Sequence, residues 1–427
     1  MKKLISVFVF CIILCGCNAK ASIENEEVVE DMKFTVSKIS TEALKEDIVF
    51  EAEPQDSLRG IWVSQFDMHP IYRDGGKQRS KEDYTEKVEK MISNLKRDGF
   101  NTVFLQLRPN GDSMFESEIY PTSKYIAGEY GGKIDYDCVE IFLEIAEKSD
   151  ISVHAWINPF RLCTKDELIS YGKGILYDWY KEGLGKRIEI APNGILYLDP
   201  YYKEATKLIV DGVREILEKY SFDGIHLDDY FYPTEFEFED EREFMLSGVA
   251  NKGDFRRSNI DRTVKALYDT AHEFGKIFGI SPAGNIYSLS DGWYVDIYKW
   301  CSESGFVDYI MPQLYYGFEN QACPFERILK DWSEAVTEES VKLYIGLSAA
   351  KCDLGSQGIE DKYAGEKGKF EWRDNKDILA RSLMNIENCD NADGVCIFTY
   401  SSFYDPITGD NNLNTVEEKQ AFCEVIR

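Results

Sequence analysis

Histidine is scarce in this chain of 427 residues. There are four, His69, His154, His226 and His272, and no two stand in H-x-x-x-H or H-E-x-x-H spacing, so the usual zinc-enzyme patterns are missing. None of the 11 cysteines forms a C-x-x-C pair, which argues against zinc ribbons and dithiol redox motifs. Basic residues are outnumbered: 49 Lys and Arg stand against 76 Asp and Glu, a formal net charge of −27. So acidic a chain repels phosphate backbones, which excludes general nucleic-acid binding. Beyond the N-terminus no apolar run approaches the about 18 residues of a spanning helix, so a polytopic membrane protein is excluded. No repeat with a period of about 20–50 residues is visible either.

What is present is a globular composition, 44% apolar, 14% aromatic and 29% charged, in a chain long enough to bury a sizeable core. At the N-terminus Lys2 and Lys3 precede the apolar stretch from Leu4 to Leu14, which ends in Leu14-Cys15-Gly16-Cys17. These last residues resemble a bacterial lipobox with Cys17 as the lipidated residue. The expected organisation is a lipoprotein signal peptide over 1–16, a lipid-anchored linker over 17–57 and one catalytic domain over 58–427. Residues 18–57 carry 11 acidic residues and 4 lysines and no glycine, the composition of a solvated tether. A lipid on Cys17 would hold the exported domain at a membrane, facing the cell wall or periplasm, without spanning it. Beyond the linker, Cys138, Cys163, Cys301, Cys323, Cys352, Cys389, Cys396 and Cys423 are expected as buried free thiols.

From Leu58 onward strand-like apolar runs alternate with amphipathic helical stretches. The runs are Arg59–Gln65, Thr102–Arg108, Ser152–Pro159, Phe222–Tyr230, Ile277–Gly284, Val307–Tyr315, Lys342–Ala349 and Gly394–Ser401. Helical patterns cover Lys81–Asp98, Tyr136–Ser149, Tyr201–Tyr220, Arg256–Gly275, Tyr294–Glu303, Pro324–Val336, Asp374–Cys389 and Thr415–Val425. Eight such units predict an α/β fold, the (β/α)8 TIM barrel. A doubly wound sheet would usually carry a glycine-rich phosphate turn after its first strand, where this chain has Gln65-Phe66-Asp67-Met68.

In such a barrel the chemistry sits where strands end. Polar and aromatic residues converge there from at least six strands. The side-chain period of two points Gln106 and Arg108, then His154, Trp156 and Asn158, then His226, Asp228 and Tyr230 toward the barrel axis. An inward Asp228 flanked by Arg, Asn and Tyr suits a carboxylate facing a developing oxocarbenium ion. Aromatic faces suit sugar rings, and Arg and Asn suit hydroxyl and acetamido groups. The candidate substrate contacts are Arg108, Trp156, Asn158, Arg161, His226, Tyr230, Tyr232, Asn285, Gln313, Tyr315 and Tyr400. His226 also fits a hydrogen-bonded core histidine, and Asp228-Asp229 also fits a loop cap or a metal pair. A glycosidase normally needs a second carboxyl group. Asp229, Asp67, Glu116 and Glu319 are the candidates, with Asp229 pointing away unless the backbone turns. Substrate assistance by an acetamido group oriented by Gln313, Tyr315 and Asn285 would relax that need. A groove of Arg108, Arg161 and Lys351 would offset the overall acidity.

Several segments resemble one family. They are Leu58-Arg59-Gly60-Ile61-Trp62-Val63, Phe100-Asn101-Thr102-Val103-Phe104-Leu105-Gln106-Leu107-Arg108-Pro109, His154-Ala155-Trp156-Ile157-Asn158-Pro159-Phe160-Arg161 and Leu198-Asp199-Pro200. Then come Asp223-Gly224-Ile225-His226-Leu227-Asp228-Asp229-Tyr230-Phe231-Tyr232-Pro233, Ile280-Ser281-Pro282 and Val307-Asp308-Tyr309-Ile310-Met311-Pro312-Gln313-Leu314-Tyr315. Together they are similar to the glycosyl hydrolase-like family 10, whose members include the divisome-localised glycosyl hydrolase of bacterial envelopes. The resemblance implies a barrel glycosidase, secreted or lipid-anchored, that cleaves glycan strands of peptidoglycan, including strands stripped of stem peptides, with the catalytic aspartate in the strand-four motif. Tyr316-Gly317-Phe318-Glu319 departs from the Trp-Glu-Phe pattern of relatives. No cofactor and no obligate protein partner is expected. Two other classes stay open: a catalytically idle glycan-binding lipoprotein, and a metal-dependent polysaccharide deacetylase built on Asp228-Asp229.

Overall fold

The structure, a computed structural model, describes residues 57–228, 232–233 and 240–426. The expectations placed on residues 1–56, with Cys17 and the linker, and on Asp229 and Tyr230 lie outside the described residues. Eight parallel strands close into a barrel. They are β1 (Leu58–Val63), β2 (Thr102–Arg108), β3 (Ser152–Ile157), β4 (Gly224–Asp228), β5 (Ile277–Ser281), β6 (Tyr309–Ile310), β7 (Lys342–Ser348) and β8 (Ala392–Phe398). Each pairs with the next in sequence, and β8 pairs with β1 to close the ring. β6 is much shorter than the apolar run that predicts it. Pro312 has no N–H to continue the ladder, and only single bridges from Gln313 to Ala283 and Gly346 carry the pairing further.

A helix returns the chain after every strand: α1 (Lys81–Arg97), α2 (Cys138–Glu147), α3 (Lys203–Lys219), α4 (Lys252–Glu273), α5 (Ile297–Ser302), α6 (Phe325–Ala335), α7 (Ile378–Glu387) and α8 (Val416–Val425). Their apolar residues recur at helical spacing, so one face lies on the barrel. On α1 these are Tyr84, Val88, Met91, Ile92 and Leu95, all buried, and the Ser80 side chain caps the first turn. Among the described residues none of these eight cysteines forms a disulfide; seven are buried and Cys389 is half-buried. The loop between β3 and α3 holds an antiparallel sheet of Arg161–Thr164, Ile195–Leu198 and Ile188–Ile190 that the sequence pattern does not announce, because its strands are three or four residues long.

Large rings facing glycines fill the barrel interior. A Cβ added at Gly279 would lie 2.1 Å from the Tyr309 ring, one at Gly224 2.8 Å from His154, and one at Gly346 2.9 Å from Trp62. Glycine is required there by close approach rather than by backbone angle. The rings occupy the space that side chains on those strands would otherwise take, and they make a solid floor beneath the C-terminal mouth.

Candidate active site

Asp228 is the last residue of β4 and stands half-buried at the mouth. Asn158, just past β3, donates from Nδ2 to Asp228 Oδ2 at 3.2 Å. Gln313, past β6, donates from Nε2 to Asp228 Oδ1 at 2.8 Å. Both oxygens therefore accept amide hydrogen bonds, which suits a carboxylate. The amide orientations follow from the outer end of the chain. The backbone N–H of Gln65 can only donate, and it donates to Gln106 Oε1 at 2.9 Å. Gln106 then donates from Nε2 to Asn158 Oδ1 at 2.7 Å. That leaves Asn158 its NH2 for Asp228. Ser281, at the end of β5 and fully buried, lies 3.3 Å from Gln313 Nε2 through its hydroxyl. Four strand ends thus set one carboxylate.

Rings from neighbouring strand ends pack on one another. Tyr315 stacks on Phe398 at the end of β8, centroids 5.9 Å apart and planes 29° apart. Phe398 in turn stands edge-on to Trp62 at 6.2 Å. Trp156 lies in the same interior cluster, 4% exposed, with its indole N–H lacking an acceptor among the described residues. Below runs a buried polar chain. Trp62 Nε1 donates to His226 Nε2 at 3.1 Å, since an indole N–H cannot accept. The His226 proton is then on Nδ1 and goes to the Tyr309 oxygen at 2.9 Å. Tyr309 donates to His154 Nδ1 at 3.1 Å. Burial depresses both imidazoles, His154 to about 4 and His226 well below its usual value, with the neighbouring His154 adding to the effect on His226.

Some expected contacts face elsewhere. His226 is fully buried and belongs to the floor, so it supports the mouth rather than touching a ligand. Arg108 does not follow the alternation. The β2–β3 register shifts between Gln106 and Arg108, and the extra residue turns Arg108 out toward the helices. Its guanidinium lies 4.7 Å from the Tyr120 ring and packs on Gly212 of α3. Tyr400 also points outward, because the chain leaves β8 at Phe398 and turns into the short helix Tyr400–Phe403. It stacks on Tyr404 at 4.8 Å. Tyr232 is fully buried and donates to Asp240 Oδ2 at 2.6 Å, beneath the Arg256 guanidinium. Asn285 stays on the rim, but its side-chain oxygen caps the helix Ile286–Gly292. Arg161 is half-buried and bonds the Pro109 carbonyl at 3.1 Å. The basic groove does not assemble, since Arg108 faces outward and Lys351 pairs with Asp361 at 3.0 Å.

The candidate acids separate as well. Asp67 is fully buried and accepts from the Ser64 and Ser401 N–H groups and from the Ser64 and Thr399 hydroxyls, which ties the first loop to the end of β8. It is a structural hub and out of reach of a substrate. Glu116 is exposed far from the mouth, its carbonyl bonded to Lys219 at the end of α3. Glu319 is exposed on the loop after β6. The buried Glu371 carboxylate accepts its N–H and that of Phe318, both at 2.8 Å, and burial raises Glu371 above the usual carboxylate range.

The model of one family, described as Glycosyl hydrolase-like 10, matches residues 57–364. The chain belongs to the glycosyl hydrolase-like 10 family. Among curated proteins it is 29% identical to Glycosyl hydrolase DigH of Escherichia coli strain K12 over 333 residues, 69% of this chain and 73% of that one. It is 28% identical to Glycosyl hydrolase YngK of Bacillus subtilis strain 168 over 345 residues, 75% of this chain and 66% of that one. Its fold is similar to the PgaB (BpsB) glycoside hydrolase domain from Bordetella bronchiseptica, with TM-score 0.53 and 12% identity, over 87% of this chain and 99% of that one. It is also similar to the catalytic domain of beta-amylase from Paenibacillus polymyxa, with TM-score 0.55 and 11% identity, over 88% of this chain and 100% of that one. At such identities these two structures show the shared barrel alone.

In this glycosyl hydrolase-like 10 barrel the strand-end residues absent from the candidate contacts are Ser281 and Phe398. Both had a signal in the same period of two, counted on from the buried Gly279 and Cys396. The hub role of Asp67 also had one, the Ser64-x-x-Asp67 capping spacing.

Proposed function

We propose that this chain is an active glycoside hydrolase that cleaves β-1,4-linked amino-sugar strands of peptidoglycan, including strands stripped of stem peptides. The observation that carries the proposal is Asp228, held at the end of β4 by Asn158 and Gln313 in a barrel of a glycosyl hydrolase-like family. In this reading Asp228 stabilises or attacks the anomeric carbon as the oxocarbenium ion develops, and its two amide donors keep it aimed. Tyr315 borders the sugar above a floor that includes Trp156, and Asn285 and Arg161 serve its substituents. The proton for the leaving oxygen comes from Asp229 or Glu319. A lipid on Cys17 tethers the domain to the membrane, facing the wall or periplasm.

The test is incubation of the barrel, residues 57–427, with purified peptidoglycan, whole and amidase-stripped, followed by mass spectrometry of the soluble products. The proposal expects new reducing ends and fragments cut within the glycan. Glycan retained on the protein with no fragments would support the idle binding lipoprotein instead.

A further inference from the structure

Phe66, two residues past the first loop's Ser64 cap, is a large apolar side chain left 49% exposed. It sits directly after Gln65, whose N–H starts the hydrogen-bond chain through Gln106 and Asn158 to Asp228. Its backbone is anchored: the Ser64 side chain accepts the Phe66 N–H, and Asp67 next door is the buried hub. The ring is anchored too. Tyr125, on the short helix Lys124–Ala127 of the second loop, meets Phe66 edge to face at 5.5 Å with planes 83° apart. Tyr125 is held in its turn by the exposed His69, whose Nδ1 bonds the Tyr125 carbonyl at 2.7 Å with the two rings 6.2 Å apart. An exposed ring fixed this firmly loses little freedom when a ligand covers it. The charges around it are balanced, since Lys124 is paired with Glu167 at 2.6 Å.

We propose that Phe66, braced by Tyr125, is a distal sugar platform, and that this protein therefore selects long amino-sugar chains over single terminal sugars. The inference rests on the reading of Asp228 as the reacting carboxylate. β1 and β4 are three strand spacings apart, about 14 Å along the sheet, so one pyranose ring at Asp228 cannot also cover Phe66. A strand of several sugars can. One unit lays its C–H face on Phe66. An uncharged platform also suits a strongly acidic protein whose wall substrate is anionic, because stacking is not weakened by like charge or by salt.

The test uses the full-length protein and soluble β-1,4-linked N-acetylglucosamine oligomers, from disaccharide to hexasaccharide, as the probe. Affinity is measured by calorimetry for the wild type, Phe66→Ala and Phe66→Trp. The expected result is a gain in wild-type affinity with length that falls about tenfold in Phe66→Ala and returns in Phe66→Trp, with little change between low and high salt. The tryptophan variant guards against a folding defect, since a misfolded loop would not be rescued by a larger ring. Equal length dependence in the wild type and Phe66→Ala, or none in the wild type, overturns the inference. Because binding is measured apart from turnover, a wild type that binds by length but cuts nothing would sink the catalytic reading and leave the platform standing.

Discussion

Asn158 donates to Asp228 from its amide NH2, because its amide oxygen already accepts from Gln106. The relation is directional and reaches back to a backbone N–H that cannot be reversed. Breaking it should misaim the carboxylate without unfolding the barrel. Asn158→Ala and Gln313→Ala are each expected to lower kcat on glycan by about a hundredfold, the usual loss for one preorganised polar group. Steady-state kinetics on both variants decide the matter, and unchanged kcat in either would remove that residue from the site.

The barrel floor makes a sharper stability prediction. Gly279→Ala places a methyl group 2.1 Å from the buried Tyr309 ring, and neither the ring nor the strand has room to yield. A loss of roughly 2–3 kcal/mol is expected from overpacking. Urea denaturation reads it directly, and a loss below about 0.5 kcal/mol would mean that the floor is looser than its packing indicates.

The same floor predicts a pH response. His154 and His226 are neutral in the fold, while an unfolded histidine titrates near 6.5. As pH falls below 6.5 the unfolded state takes up protons that the native state refuses, so stability drops. Each ring contributes about 1.4 kcal/mol per pH unit until its folded value is reached, about 4 for His154. Nitrogen NMR of the labelled imidazoles should find both neutral at pH 5. Titration of either near 6.5 in the native protein would contradict the buried chain from Trp62 to His154.

Glu418 has the opposite sign. It is buried on α8, and burial raises its carboxyl to about 7 although the Leu379 N–H donates to it. The native state holds a proton that the unfolded state has lost above pH 4.5, so stability from this group is lost as pH rises toward 7. Glu418→Gln removes that penalty. It should stabilise the protein by roughly 3 kcal/mol at pH 8 and by much less at pH 5. An equal effect at both values would show that the carboxyl is not held protonated.

The barrel was legible because its signals are local and repeated. Apolar runs such as Thr102–Arg108 and Lys342–Ser348 alternate with one-sided helices such as α1 and α3. Within the site, alternation placed Asn158 and Asp228 at the mouth, where they meet. It failed where the backbone departs from a regular strand. A register shift turns Arg108 outward, and a helical turn after Phe398 carries Tyr400 away. His226 shows a different limit: a residue can face the axis and still lie too deep for a ligand. Tyr232 is drawn aside by Asp240 and Arg256, an attraction between residues distant in sequence that no local pattern records. Phe66 was missed because exposure is a property of the packed fold.

Asp228 carries the proposed reaction, and the most direct test of it is the rate of reducing-end release from amidase-stripped peptidoglycan by the wild type and Asp228→Asn. The amide is nearly isosteric, so the thermal midpoint should move little. The rate should fall by at least about a thousandfold, because the charge that meets the oxocarbenium ion is gone. A folded Asp228→Asn protein that releases reducing ends at the wild-type rate would contradict the account.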